Sequence, residues 1–308
     1  MGDSVKVFAP ATVANVGPGF DILGLALEGI GDEIEMVATN QSGITLEMPD
    51  SNLPTDPKLN VAGVAVQALL DHLHSNQGFH IKIHKKIAPG SGLGSSASSA
   101  AGAVYGANQL LGASLSKTDL VKFAMMGEAV ASGKVHADNV APSLLGGFTL
   151  IRSYDPLDIV NLAYPIALLV VIIHPCIEVK TSDSKKILRK VVPMELAIKQ
   201  WGNVAGLVSG LASENYDLIS KSLEDSIVEP VRSMLIPRFD ELKQSALNQG
   251  ALGCSISGSG PSVFAICTSK EIALAVADTF EEIYNTIGID YKIHVSKIND
   301  QGTRIEVL

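Results

Sequence analysis

Cysteine is scarce in this chain, and the thiols that occur follow no pairing pattern. The chain has three cysteines, Cys176, Cys254 and Cys267, and no C-x-x-C pair. An odd and sparse set of this kind is typical of free thiols in a reducing compartment. The first residues contain no apolar signal core, and Lys6 stands where a myristoylation motif has Ser or Thr. We therefore expect a cytoplasmic protein.

A surplus of positive charge and a long apolar run are also absent. The chain has 23 Lys and Arg against 32 Asp and Glu, a formal net charge of −9 with His neutral. This balance argues against a nucleic-acid partner, because such a surface is basic. The longest apolar run, roughly residues 162–173, contains Pro165 and is too short to span a bilayer, so we expect no membrane partner. Apolar residues make up 46% of the chain, which is typical of a globular protein of one large domain or two domains.

A glycine-rich loop between a predicted strand and a predicted helix is the most informative stretch. Residues 79–84 alternate apolar and polar side chains, which predicts a strand, and Pro89 cannot continue it. The loop reads P-G-S-G-L-G over residues 89–94, and an alanine-rich run that favours a helix follows from Ser95. Unpaired N–H groups and the positive dipole at a helix start, beside glycines, suit an anion such as phosphate.

The two commonest phosphate-binding signatures do not fit this loop. No lysine follows the last glycine, so G-x-x-x-x-G-K-[ST] is absent, and Ser95 replaces the last glycine of G-x-G-x-x-G. The hydroxyls of Ser95 and Ser96 can cap the helix or face a metal. The spacing alone leaves two equal alternatives, a phosphate site and a glycine-rich turn before a closely packed helix.

An acidic residue lies on the apolar face of another predicted helix. Residues 116–119 form a capped helix start, and Val121, Ala124, Met125 and Glu128 share one face by their spacing. The Glu128 carboxylate is therefore either a buried acid with a local partner or a ligand for Mg²⁺. A carboxylate, a hydroxyl and phosphate oxygens together suit this ion.

Several motifs, in chain order, resemble those of the GHMP kinases, which phosphorylate small molecules such as galactose, homoserine and mevalonate. P-G-S-G-L-G-S-S-A at residues 89–97 resembles the phosphate-binding motif of the family. A-P-A-T-V-A-N-V-G-P-G-F-D-I-L-G-L-A-L at residues 9–27 resembles the N-terminal signature of its homoserine kinase branch. H-A-D-N-V-A-P-S-L-L-G-G at residues 136–147 and E-P-V-R at residues 229–232 resemble further elements of that branch. Residues 253–266 resemble the third GHMP motif.

The resemblance implies an α+β class protein with the two-domain GHMP kinase fold. Residues 1–160 would form an N-terminal nucleotide-binding α+β domain with a sheet of the left-handed-crossover type. Residues 161–308 would form a ferredoxin-like βαββαβ domain, and the active site would lie between the two. The element pattern from about residue 167 also reads in the ferredoxin-like order, with extra helices in the first crossover. Members of the family are often homodimers, so we expect one here.

The resemblance also implies roles for individual residues acting on Mg·ATP and L-homoserine. ATP binding is expected from Asn60, Pro89, Gly90, Ser91, Gly92, Leu93, Gly94, Ser95 and Ser96. Mg²⁺ would be held by Ser96 and Glu128. Catalytic roles are expected for Ser96, Glu128, Asp138 and Thr181, with Asp138 as the candidate base. Substrate binding is expected from Asn15, Asp21, His136, Asn139, Lys185, Arg232, Gly258 and Gly260.

These roles match the chemistry of homoserine, a zwitterion with a primary hydroxyl. Arg232, helped by Lys185, would hold the carboxylate, and Asp21 with Asn15 and Asn139 would hold the ammonium group. The family usually has arginine at the position of Lys185, and lysine keeps the charge but loses the bidentate fork.

The expected reaction is phosphorylation of L-homoserine by ATP to O-phospho-L-homoserine, a step toward threonine. Whether Asp138 takes the proton stays open, because the transition state of phosphoryl transfer is loose and positioning carries much of the catalysis. Two alternatives to this function also remain. One is another GHMP-type activity, on mevalonate or a sugar, and the other is a GHMP-fold binding protein without catalysis.

Overall fold

The structure, a computed structural model, describes residues 3–133, 135–177 and 187–306. Its strands are β1 Ser4–Ala14, β2 Leu23–Thr39, β3 Ile44–Glu47, β4 Gly78–His84, β5 Phe148–Tyr154, β6 Leu157–Leu162, β7 Leu169–Pro175, β8 Gly253–Ile256, β9 Val263–Cys267, β10 Tyr291–Lys297 and β11 Arg304–Ile305. Its helices are α1 Val61–His72, α2 Ser95–Leu110, α3 Lys117–Ser132, α4 Val140–Leu145, α5 Met194–Ala212, α6 Tyr216–Ser222, α7 Glu229–Arg232, α8 Phe239–Asn248 and α9 Lys270–Asn285.

Among the described residues, the first sheet has seven strands in the order β11-β1-β2-β4-β3, with β5 paired to β2 and β6 paired to β5. The pair β3 and β4 is parallel, and α1 connects the two strands. Helices α1, α2 and α3 share one apolar core with this sheet, formed among others by Val7, Ile34, Met36, Leu69, Ile81, Ala100 and Val121. The alanines of α2 permit a close approach to the strands, which places the start of this helix beside β1.

Strand β1 continues through Pro10 to Ala14. Its register against β2 shifts between Pro10 and Thr12. A proline cannot donate to the ladder, and such an irregularity is where a sheet tolerates it. The continuation carries Thr12 to the glycine loop, where its N–H donates to the carbonyl oxygen of Leu93 at 3.1 Å.

The second sheet confirms the ferredoxin-like order. Its strands lie in the order β10-β7-β9-β8, and all neighbours are antiparallel. Numbered within this half of the chain, the order is 4-1-3-2, as in a βαββαβ unit. One face packs against α8 and α9 through side chains that include Phe239, Leu242, Phe280 and Tyr284. The other face meets the first sheet in a second core that includes Leu25, Phe148, Val170 and Phe264.

The two sheets do not divide the chain at a single position. The boundary predicted after residue 160 falls inside β6, which pairs with β5 in the first sheet and ends at Leu162. Strand β11 returns to the first sheet and pairs with β1. The three cysteines are free, as predicted, and two of them are buried. Among the described residues, no helix has both the length and the apolar character needed to cross a bilayer.

Candidate active site

A cavity of about 390 Å³ opens where the two sheets meet. The predicted site residues that line it are Asn15, Asp21, Asn60, Pro89, Gly90, Ser91, Gly92, Gly94, Ser95, Ser96, Glu128, His136, Asp138, Asn139, Arg232 and Gly258. The fold therefore brings residues that are far apart in the chain to the wall of one cavity. Leu93 and Gly260 do not line it, and Thr181 and Lys185 lie outside the described residues.

The glycine loop between β4 and α2 needs its glycines for two reasons. Gly90, Gly92 and Gly94 have φ angles of +73°, +80° and +67°, a region that other residues rarely adopt. A Cβ atom at Gly92 would lie 2.5 Å from the Ser257 carbonyl oxygen, and one at Gly94 would lie 2.0 Å from Thr12 Oγ1. The loop is therefore pressed against both halves of the molecule.

The turn between β8 and β9 holds this loop from the second sheet. Ser257 Oγ donates to the carbonyl oxygen of Gly92 at 2.7 Å, and Ser262 Oγ donates to that of Ser91 at 2.6 Å. The backbone N–H of Ser262 donates to the same Ser91 oxygen at 3.2 Å. Gly260 lies in this turn and contacts Gly92. Gly260 therefore supports the glycine loop but does not line the cavity.

Leu93 has a structural position inside the loop. Its side chain is buried in the core between the two sheets, its N–H donates to Ser91 Oγ at 3.3 Å, and its carbonyl oxygen accepts from Thr12. Both backbone groups of Leu93 are thus used within the protein. Its contact with ATP stays a prediction.

The start of α2 is open to an anion. The N-cap residue is Gly94, and no side chain caps the first turn. Ser95 Oγ donates instead to the carbonyl oxygen of Ile87 at 2.9 Å, so its hydroxyl does not cap the helix. The first N–H groups of a helix carry partial positive charge and point along its axis. Of the two sequence alternatives, the geometry favours the phosphate site.

Glu128 and Ser96 offer oxygen ligands at the same cavity. Glu128 is 8% exposed on α3, and both residues line the cavity wall. Within the described ranges, no group of three or more His, Cys, Asp and Glu is arranged to hold a metal ion. One carboxylate and one hydroxyl nevertheless fit Mg²⁺, because this ion usually keeps waters and takes further oxygens from bound phosphates.

Asn60 caps the helix that borders the opposite end of the cavity. Its Oδ1 accepts from the N–H of Ala62 at 3.0 Å, and its Nδ2 donates to the Pro54 carbonyl oxygen at 2.7 Å. This wall is largely apolar, since it is formed with Met48, Leu53, Pro54, Leu59 and Val61. The side chain of Asn60 therefore shapes the wall, while its contact with a nucleoside stays a prediction.

The other end of the cavity is polar, and several hydrogen bonds connect its residues. Asn15 Nδ2 and Arg232 Nη1 both donate to the carbonyl oxygen of Gly258, at 2.7 and 3.0 Å. Asn15 Oδ1 accepts from the N–H of Asp21 at 3.0 Å, and the Arg232 guanidinium lies over the ring of Phe20 at 5.1 Å. Asn15 and Asp21 have φ angles of +70° and +60°, and such conformations cluster at functional sites.

Asp138 has an unusual acidity. Burial, together with the neighbouring charge of Asp21, raises the pKa of Asp138 to about 7. A carboxyl group with this pKa can hold or accept a proton near neutral pH. Gly24 makes the position possible, because a Cβ atom there would lie 1.9 Å from the carbonyl oxygen of Asp138.

Sequence reasoning missed several residues that shape this site, among them Thr12 and Lys85. Thr12 Oγ1 donates to Asn139 Oδ1 at 2.7 Å and so orients that amide. Lys85 lines the cavity and forms a buried ion pair with Asp32. The only local signal for Lys85 was its place at the end of a strand before the glycine loop. Lys86 follows it directly, and two adjacent lysines give no local indication that one of them is buried.

Comparison with known proteins agrees with this geometry. The family model described as GHMP kinases N terminal domain matches residues 60–147, and that described as GHMP kinases C terminal matches residues 207–286. A homoserine kinase of Chlorobaculum tepidum is 43% identical over 98% of this chain and 98% of its own length. One of Methanococcus vannielii is 41% identical over 91% of this chain and 93% of its own length.

Solved structures show the same relationship. A homoserine kinase from Cytophaga hutchinsonii superposes with a TM-score of 0.96 at 48% identity, covering 99% of this chain and 98% of that one. A mevalonate kinase superposes with a TM-score of 0.70 at 18% identity over 97% of this chain and 100% of that one, which shows the shared fold alone. The chain therefore belongs to the homoserine kinases of the GHMP kinase family.

Proposed function

We propose that the protein transfers the γ-phosphoryl group of ATP to the hydroxyl of L-homoserine, giving O-phospho-L-homoserine and ADP. The observation that carries this proposal is a single cavity with two chemically different ends. An uncapped helix start and a glycine loop line it, and a buried arginine lies near the acids Asp21 and Asp138 at its polar end. Membership of the homoserine kinases supports the same reaction.

The nucleotide would lie along the glycine loop. The glycine loop and the first N–H groups of α2 would bind the phosphates, and the apolar wall beside Asn60 would hold the base. Ser96 and Glu128 would hold Mg²⁺ against the phosphates, where the ion neutralises the developing negative charge.

The amino acid would lie at the polar end. Arg232 would bind its carboxylate, and Asp21 with the amides of Asn15 and Asn139 would bind its ammonium group. This arrangement directs the hydroxyl of the substrate toward the loop. Asp138, with its pKa raised to about 7, would accept the proton of that hydroxyl as the phosphoryl group is transferred.

The cytoplasmic location expected from the cysteine content and the homodimer implied by the resemblance belong to the same proposal. Light scattering on the purified protein tests the second of these. A mass twice that of one chain is expected, and the mass of a single chain would contradict it.

The reaction is tested by measuring ADP release with Mg·ATP and a panel of acceptors. We expect turnover with L-homoserine and little with L-serine, L-threonine, mevalonate or galactose. Turnover on mevalonate or galactose alone would favour another activity of the family. Binding of ATP without turnover on any acceptor would favour a binding protein.

A further inference from the structure

A buried ion pair lies beneath the glycine loop, and none of the roles above uses it. Lys85 directly follows β4, and Asp32 lies on β2. Their side chains are 3% and 0% exposed, and Lys85 Nζ donates to Asp32 Oδ2. Burial of two charges is costly unless their remaining hydrogen bonds are satisfied. The partners of the two groups therefore indicate what the pair is for.

Asp32 holds the segment that leads into the loop. Its Oδ1 accepts from the backbone N–H groups of Lys86 at 3.0 Å and Ile87 at 3.2 Å. Its Oδ2 also accepts from Ser99 Oγ, on α2, at 3.1 Å. One carboxylate thus joins the chain that leaves β4 to the helix on the other side of the loop.

Lys85 holds the segment that leaves the loop. An ammonium group has three N–H donors, and three acceptors surround this one: Asp32, the Ser95 carbonyl oxygen at 2.7 Å and Ser99 Oγ at 3.0 Å. All three donors are therefore used within the protein. An effect of Lys85 on a bound nucleotide would pass through Ser95, whose carbonyl oxygen it holds. Ser95 Oγ in turn donates to Ile87, which closes the base of the loop.

We propose that Lys85 and Asp32 are positioning residues that fix the spacing between the two ends of the glycine loop. This inference rests on the proposed kinase function. The pair sets the direction of the first N–H groups of α2 and of Ser96, the residue after Ser95. Small displacements of groups that bind reacting phosphates cause large losses of activity, so a rigid, buried anchor has a direct effect on Mg·ATP.

The test measures Mg·ATP binding by calorimetry in the absence of homoserine, for wild type, Lys85→Met and Asp32→Asn. We expect the Kd to rise about tenfold, a typical effect of losing a group that orients a ligand-binding residue. The KM for homoserine should change much less. Because the binding measurement contains no homoserine, a wrong substrate assignment would leave its result unchanged, and the two failures are distinguishable.

A neighbouring ion pair gives a matched control. Lys6 and Glu33 lie 2.9 Å apart with side chains 26% and 35% exposed, and Glu33 follows Asp32 on the same strand but on the opposite face. Lys6→Met should leave the Kd for Mg·ATP unchanged. If Lys85→Met fails to fold, Ser99→Ala removes one hydrogen bond from each partner without changing the charge.

Ser99→Ala should weaken Mg·ATP binding severalfold. The decisive comparison is between binding and stability. Variants that melt at a lower temperature but bind Mg·ATP like the wild type would show that the pair only stabilises the fold, and the inference would be wrong.

Discussion

Burial changes the chemistry of single side chains at the polar end of the cavity. The pKa of Asp138 rises to about 7 because the group is buried beside Asp21. Burial lowers the pKa of Arg232, but the neighbouring carboxylates of Asp21 and Asp225 oppose that effect. An arginine keeps its charge under these conditions. The two side chains therefore suit different tasks, proton transfer for Asp138 and binding of a carboxylate for Arg232.

Asp138→Asn should remove the pH dependence that the raised pKa predicts. In the wild type, kcat/KM should increase with pH and level off above about 7, because only the ionised carboxylate accepts a proton. The asparagine variant should lose roughly a hundredfold in kcat and show no such rise. Asp278→Asn changes an exposed carboxyl on α9 and serves as the control. A variant that keeps the rise in kcat/KM would exclude Asp138 as the proton acceptor.

Arg232→Ala should mainly raise the KM for homoserine. Loss of a buried charged contact to the substrate costs about 3 kcal/mol, or roughly a hundredfold in KM. Affinity for Mg·ATP should change little. Arg238→Ala removes an exposed arginine that is paired with Glu241 and should leave both constants unchanged. An unchanged KM in Arg232→Ala would remove this residue from the carboxylate site.

At the scale of elements, the end of β5 connects the two loops that carry the acids. Tyr154 Oη donates to the carbonyl oxygen of Asp21 at 2.7 Å and accepts from the N–H of Ala137 at 3.3 Å. The ring of Tyr154 also meets that of His136 edge-on, with 6.4 Å between centroids. The hydroxyl of Tyr154 thus connects the loop that carries Asp21 to the loop that carries Asp138.

Tyr154→Phe should weaken the binding of homoserine without changing the binding of Mg·ATP. The change removes the hydroxyl and keeps the ring. Loss of about 1 kcal/mol of hydrogen bonding should raise the KM for homoserine about fivefold. Tyr291→Phe is the matched control. Tyr291 is on β10, and its hydroxyl also makes two hydrogen bonds, to Glu281 and Asn285 on α9. Equal kinetics for both variants would contradict this role of Tyr154.

At the scale of the whole molecule, the glycine loop is part of the junction between the two sheets. His174 on β7 lies 3.1 Å from Ser262 Oγ, which donates to the Ser91 carbonyl oxygen in the loop. Burial and the nearby charge of Lys292 lower the pKa of His174 to about 4. The histidine is therefore neutral in the folded protein at neutral pH.

This lowered pKa predicts a loss of stability in mild acid. Between about pH 6.5, its ordinary value, and pH 4, His174 takes up a proton in the unfolded chain but resists it in the folded one. The contribution of His174 to the free energy of unfolding is therefore present above 6.5 and declines as the pH falls toward 4. Melting curves of His174→Gln should show a smaller decline over this window than the wild type. His72→Gln, at an exposed histidine, should decline like the wild type, and an identical decline in all three proteins would refute the prediction.

Features that depend on neighbours in the chain were predictable from the sequence. The glycine loop before α2, the capping box of Ser116 and Asp119 at the start of α3, and the ferredoxin-like order of the second sheet all occur as expected. Turns, caps and hydrophobic periodicity act over a few residues, so their physical causes are present in the local sequence.

Contacts between distant segments were not predictable in this way. Lys85 and Asp32 are 53 positions apart, Tyr154 and Asp21 are 133 apart, and Ser262 and Ser91 are 171 apart. Local patterns do not specify which of many polar residues meet across a fold. The family motifs indicated the reaction and most of the residues around the cavity, because these residues lie in short, distinctive stretches. The sequence does not predict the buried ion pair, the tyrosine contact or the junction between the sheets. They form because packing of the two sheets removes these polar groups from water, so that each group must find its hydrogen-bond partner among the others.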